Sequence, residues 1–168
     1  DLSERGRQPM CSTDGTIAIS VNGEIYNYPE LRAELEAQGA VFQSDCDSET
    51  VIHAYRAWGP ASFARYNGMF AFALWDGPNR RLHLVRDRLG IKPLYYWHDG
   101  ARTFFASDVQ AIIAASGRRD WPISRRGLSQ YLSYENRFGA ETMFEGIRLL
   151  LPGHHIEIDV AGRRERRY

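Results

Sequence analysis

Lysine is almost missing from this 168-residue chain: Lys92 stands alone among 21 cationic side chains, the rest being arginine. Twenty-one acidic residues balance them to zero formal net charge, so no nucleic-acid backbone or anionic membrane surface is recruited by bulk electrostatics. Long apolar runs are missing too. Met69 to Trp75 and Ile147 to Pro152, the longest, fall far short of the roughly 20 residues a bilayer span needs. Cysteine is scarce: Cys11 and Cys46 offer neither metal-ligand spacing nor a disulfide framework, so no metal site is expected and a reducing compartment, the cytoplasm, is. No initiator methionine and no signal-type apolar segment opens the chain, which reads as a piece of a longer one.

What is present suffices for a core. Hydrophobic residues make up 43% and aromatics 12% of the sequence, and a domain of this length can bury roughly 68–70% of the surface its unfolded chain exposes. Alternating Ile17, Ile19 and Val21 predict a strand over Thr16 to Val21. Asn22-Gly23 then reads as a tight turn, with Glu24 to Tyr26 returning as a second strand. Pro29 to Gln38, closed by Gly39, reads as a helix. Asp47 and Ser48 read as N-caps of a helix carrying Val51, Ile52, Tyr55 and Trp58. Met69 to Asp76 and Arg81 to Arg86 form a hairpin across Gly77-Pro78-Asn79, and Leu94 to Trp97 with Thr103 to Ala106 form another. Asp108 and Ser124 each cap a later helix, and the tail from Ile147 to Tyr168 has the period of a further antiparallel pair. Helices between hairpins indicate α+β with antiparallel sheets rather than a doubly wound parallel sheet.

Specific strings sharpen this. DLSERGRQPM (1–10), VNGEIYNYPELRAEL (21–35), DSETVI (47–52), GMFAFALWD (68–76), RDRLGIKPLYY (86–96) and FEGIRLLLPGH (144–154) occur in this order. Together they closely resemble the glutamine-hydrolysing domain of asparagine synthetases, a class II amidotransferase of the N-terminal-nucleophile hydrolase type. The resemblance implies an αββα sandwich, two antiparallel sheets between helical layers. It makes residues 1–168 a partial amidotransferase domain, with the N-terminal nucleophile segment and the C-terminal synthetase domain both outside the chain, and it implies an open sheet edge where upstream strands are lacking.

The resemblance also implies a chemistry. An N-terminal cysteine attacks the side-chain amide of glutamine, its α-amine acts as base, and ammonia passes to the synthetase domain. Asn22 and Gly23 match the oxyanion hole, through the Asn22 side-chain amide and the Gly23 N–H. Glu24 and Asp47 match acidic groups that bind the substrate α-ammonium, a charge-assisted bond suited to carboxylates. No cofactor is expected here, with ATP and magnesium expected in the synthetase domain. Glutamine and that domain are the expected partners, a homodimer is compatible with the resemblance, and nucleic acid and membrane are not expected. Cys11 and Cys46 are internal and lack the α-amine, so the chain alone is predicted to be inactive. Two alternatives stay open: a catalytically dead domain serving as scaffold beside another amide-forming synthetase, and a non-enzymatic assembly module. Arg86, Asp87, Arg88 and Lys92 read as loop architecture, and the arginines 163, 164, 166 and 167 as a solvated face.

Overall fold

Ile17, Ile19 and Val21 alternate as a strand requires, and the computed structural model, which describes residues 6–136 and 138–168, carries that strand on to Ile25. Asp1 to Arg5, half of the first quoted string, lie outside the described residues. Chain order is β1 (Met10–Cys11), β2 (Ile17–Ile25), α1 (Tyr28–Ala37), α2 (Asp47–Trp58), a 3-10 helix (Gly59–Arg65), β3 (Gly68–Asp76), β4 (Arg81–Arg86), β5 (Tyr95–His98), β6 (Thr103–Ala106), α3 (Val109–Ser116), α4 (Arg125–Tyr134), β7 (Arg148–Leu149), β8 (His154–Asp159) and β9 (Gly162–Arg167). The turn expected at Asn22-Gly23 does not form. β2 runs straight through it, paired antiparallel with β3 from Ile17↔Asp76 to Ile25↔Gly68. Asn-Gly turns a chain where its own flanks can pair; here a nine-residue apolar strand offers a longer ladder, and that tertiary pairing overrides the local preference.

The chain divides into two units, Asp1–Lys92 with Gly153–Tyr168, and Pro93–Pro152. The first is built on a six-stranded antiparallel sheet of order β1-β2-β3-β4-β8-β9. By register, Ile17 and Ile19, Phe70, Phe72 and Leu74, and Val85 share one face. They form a single buried core with Leu31 and Leu35 of α1, Val51, Ile52 and Tyr55 of α2, and Phe63 of the 3-10 helix, each such side chain stabilising the fold by about 1.5–3 kcal/mol. β3 is buried on its other face as well, at Ala71 and Ala73, which is why its sequence is a continuous apolar run. At the opposite margin, every residue of β9 is exposed. Arg164 pairs there with Glu157 and Asp159, so the tail arginines do make a solvated face, and a charged edge strand resists pairing with another chain.

The second unit holds a three-stranded antiparallel sheet, β6-β5-β7. Asp108 and Ser124 cap α3 and α4 as the sequence predicts, accepting from Gln110 N and Gly127 N. The tail splits differently from expectation: β8 and β9 pair with each other, whereas Ile147 to Leu151 supplies β7 to the second sheet, against β5.

The segment after β4 is architectural, as the sequence reading favours. Asp87 is fully buried, and its carboxylate accepts from the backbone N–H of Phe70 (3.3 Å), Leu89 (3.0 Å), Ile91 (3.0 Å) and Lys92 (3.1 Å). The Arg86 guanidinium donates to the carbonyls of Lys92 and Gly90, and Arg88 donates to those of Tyr66 and Ala64. The Asp87 carbonyl accepts from Gly153 N at 2.8 Å, so one residue binds the chain where it leaves the first unit and where it returns.

A polar knot lies inside this core. Tyr55 OH donates to Asp76 Oδ2 at 2.8 Å and lies 3.0 Å from His83 Nε2. The phenol has one proton and gives it to the carboxylate, so His83 is the donor in the second bond and holds its proton on Nε2. Burial pushes the His83 imidazole down to about 4 from its ordinary 6.5, and burial lowers His155 as well. A depressed folded-state value means that the unfolded chain binds the proton more readily. The stabilisation is therefore complete above pH 6.5 and is lost as pH falls toward 4, by about 3 kcal/mol for His83. The melting temperature should decline across that window, and His83→Phe should flatten most of the decline. Parallel curves for the two proteins would contradict the assignment.

Candidate functional site

β1 pairs with β2 at Met10↔Ile19 and Cys11↔Ala18, and among the described residues the outer edge of β2 has no strand neighbour from Val21 to Ile25. Backbone donors alternate along a strand, so Val21, Gly23 and Ile25 direct their N–H groups to that edge while Asn22 and Glu24 bond to β3. Two of the three edge donors are closed by side chains. Gln8 Oε1 accepts from Val21 N at 2.6 Å, and Asp47 Oδ2 accepts from Ile25 N at 2.8 Å. Between them the Gly23 N–H meets no side-chain acceptor among the described residues.

Glycine is required here by the backbone. Gly23 has φ +130°, and a Cβ built on it would overlap the Met69 carbonyl oxygen and stand 2.7 Å from Phe70 Cα. Gly68 on the facing strand is constrained in the same way, its Cβ overlapping the Glu24 carbonyl. Phe70, the register partner of Gly23, is held from behind by Asp87, which exchanges backbone and carboxylate bonds with it.

The four residues singled out in the sequence fall as follows. Asn22, Gly23 and Glu24 are consecutive and exposed, and the side chains of Asn22 and Glu24 stand on the same face of β2. Neither makes a hydrogen bond among the described residues. Asp47 is half-buried in the first turn of α2. It is not the N-cap expected of it: Cys46 occupies that position, without a side-chain cap bond. Asp47 reaches instead across 22 residues of sequence to Ile25, which brings the α2 terminus to the end of the Asn22–Glu24 segment. Among the described residues its Oδ1 has only long contacts, 3.6 Å to Cys46 Sγ and 3.5 Å to Ser48 Oγ. Glu49 fixes the loop ahead of the helix by accepting from Gln43 N, Ser44 N and Ser44 Oγ at 2.6–2.7 Å. Burial pushes its carboxyl up, but those donors outweigh burial and hold it below the ordinary range.

Of the two internal thiols, Cys46 lies beside Asp47 and Cys11 stands apart from Gly23. Cys11 is exposed opposite Ala18, five residues along β2 from Gly23 and so roughly 17 Å away; Cys46 is buried. A cavity of about 210 Å³ lined by Cys11, Ser12, Glu49, His53 and Arg56 includes none of Asn22, Gly23, Glu24 and Asp47. Among the described residues no group of three or more His, Cys, Asp or Glu could hold a metal ion, and no helix is long and apolar enough to cross a membrane. Gln8 and Asp87 are the residues the sequence reading left without a site role. Gln8 lies in a string quoted for its resemblance, and nothing local signals that its partner is 13 residues away.

Comparison with known proteins supplies the context. The profile of a glutamine amidotransferase domain family matches residues 1–168. The chain is 38% identical over 168 residues to asparagine synthetase [glutamine-hydrolyzing] 3 of Bacillus subtilis, covering 98% of this chain and 27% of that protein. It is 37% identical over 155 residues to asparagine synthetase [glutamine-hydrolyzing] 1 of the same organism, covering 92% and 24%. The chain thus spans about a quarter of the length of these curated relatives. Among solved structures it resembles glutamine phosphoribosylpyrophosphate amidotransferase from B. subtilis, at TM-score 0.70 and 20% identity over 98% of this chain and 32% of that one. That likeness is one of fold, and with the antiparallel sheets and helices of this chain it bears out the expected α+β class.

The steric requirement at Gly23 is directly testable. Gly23→Ala should destabilise the chain by about 1–3 kcal/mol more than Gly39→Ala in urea unfolding, because Gly39 shares a positive φ of +94° but has open space around it. Equal losses would show that the approach of Met69 and Phe70 imposes nothing.

Proposed function

Because this chain belongs to the glutamine amidotransferase domain family, we propose that it provides the oxyanion site and part of the substrate pocket of a glutaminase within a longer, glutamine-dependent asparagine synthetase. The observation that carries this reading is a pair of donors on successive residues, the Asn22 side-chain amide and the Gly23 N–H, with no side-chain acceptor among the described residues, followed by Glu24 and by Ile25, from whose N–H the Asp47 carboxylate accepts. A carbonyl oxygen gaining charge needs donors already aimed at it, and a substrate ammonium needs carboxylate oxygens that remain free to accept.

The proposed step is acyl transfer. The thiol of an N-terminal cysteine upstream of this chain attacks Cδ of glutamine, and the carbonyl electron pair moves onto oxygen, where Asn22 and Gly23 stabilise it. The cysteine α-amine takes the thiol proton and returns it to the leaving nitrogen, which departs as ammonia. Water then cleaves the thioester to glutamate and regenerates the thiol. A thiol near ~8.5 and an α-amine near ~7.7–8.0 titrate close enough to working pH for one residue to serve both purposes. Asp47 Oδ1 and the Glu24 carboxylate bind the substrate α-ammonium while Asp47 Oδ2 stays on Ile25 N. Ammonia is passed to the synthetase portion for ATP-dependent conversion of aspartate to asparagine. ATP and magnesium are assigned to that portion, and no residue of this chain is assigned to them. The two free thiols support a cytoplasmic setting.

In the full-length protein, Asn22→Ala should lower glutaminase kcat by ~10²–10³ with a smaller change in KM, since its bond strengthens as the oxyanion forms. Asp47→Asn keeps an acceptor for Ile25 N but removes the charge, and should chiefly raise KM for glutamine. Steady-state ammonia release distinguishes the two patterns, and an Asn22→Ala protein with unaltered kcat would remove the oxyanion assignment. The isolated 168-residue chain should release no ammonia from glutamine; turnover abolished by Cys11→Ser would reinstate an internal nucleophile.

A further inference from the structure

Closure of the β2 edge on either side of Gly23 asks for an explanation that substrate binding does not supply. If the β1 ladder continued past Met10↔Ile19, Gln8 would stand opposite Val21. Its backbone does not take up that pairing. The side-chain carbonyl replaces it, accepting from Val21 N at 2.6 Å and from Ser20 Oγ at 3.3 Å. Only the oxygen of a side-chain amide can accept from an N–H, so the orientation of Gln8 is fixed by its partner.

We propose that Gln8 is a positioning residue for glutamine hydrolysis: it closes the Val21 donor and pins the free edge of β2, so that Gly23 N–H is the one edge donor offered to the substrate oxygen. The proposal rests on the glutaminase reading and deepens it. Equivalent N–H groups recur about every 7 Å along a strand edge. An open Val21 donor would compete for the same carbonyl oxygen one step out of place, and an unpaired edge also invites another strand. Oxyanion stabilisation depends on donors held still before the charge develops. Among the described residues β2 has a strand neighbour on one side only between Val21 and Ile25, and the side chains of Gln8 and Asp47 bond its two outer donors as a neighbouring strand would. Asp47 also faces substrate in the proposed mechanism. Gln8 is committed to the backbone, which separates positioning from binding.

Gln8→Met in the full-length protein preserves side-chain length and removes the acceptor. Glutaminase kcat should fall about tenfold, less than the loss expected when a donor itself is removed, while KM for glutamine stays within about twofold. Amide hydrogen exchange at Val21 should accelerate at least tenfold. A purely structural role would lower the melting temperature and leave kcat and KM of the folded protein unchanged, and that result would overturn the proposal. So would an unchanged kcat in Gln8→Met beside a depressed kcat in Asn22→Ala, which leaves the glutaminase reading standing and removes Gln8 alone. If Asn22→Ala has no effect, or the unsubstituted full-length protein does not hydrolyse glutamine, the glutaminase reading fails and takes this proposal with it.

Discussion

The closeness of β2 to β3 at Gly23 is the constraint on which the rest of the site depends. At that point the strands approach so tightly that neither Gly23 nor Gly68 can carry a side chain. The nine-residue register between them fixes which backbone groups face inward and which face the open edge. Once Asn22 and Glu24 are committed to β3, the Gly23 N–H has no choice of direction. The chemistry proposed for this edge follows from strand parity, and so does the need to close Val21 and Ile25.

Asp87 extends that constraint through the sheet. It lies behind Phe70, the residue facing Gly23, and its four accepted N–H bonds combine local loop closure with a cross-strand tie. A carboxylate buried this completely is stable only because each lone pair is met by a donor. The same residue binds Lys92 N and Gly153 N, the first unit's ends at the two chain crossings. The loop after β4 thus supports two things at once: the backbone opposite Gly23 and the two points at which the chain leaves and re-enters the first unit.

Elements whose cause is local were legible in the sequence. Apolar spacing located α1 and α2, and Asp108 and Ser124 cap α3 and α4 because a cap is an interaction of two or three residues' range. Asn22-Gly23 reads as a turn and forms strand for the complementary reason. Its local preference is real, but the outcome was set by β3, whose apolar length no short window around residue 22 contains. Asp47 has the sequence of a cap and binds Ile25 instead, and nothing near Gln8 in sequence points to Val21, which it binds; both contacts cross from a loop or helix terminus to a strand edge that exists only after the sheet has formed. The quoted strings named Asn22, Gly23, Glu24 and Asp47 through family resemblance. What the sequence alone could not display was the parity that separates Gly23 N–H from its neighbours.

That separation can be observed directly. A crystal structure of the full-length protein with an aldehyde analogue of glutamine, which forms a tetrahedral adduct with a thiol nucleophile, would place the adduct oxygen where the oxyanion develops. The account requires that oxygen within about 2.7–3.1 Å of both Gly23 N and Asn22 Nδ2, with Gln8 still on Val21 N and Asp47 on Ile25 N. An adduct oxygen bound elsewhere, or a β2 edge already occupied by another strand at Gly23, would contradict it.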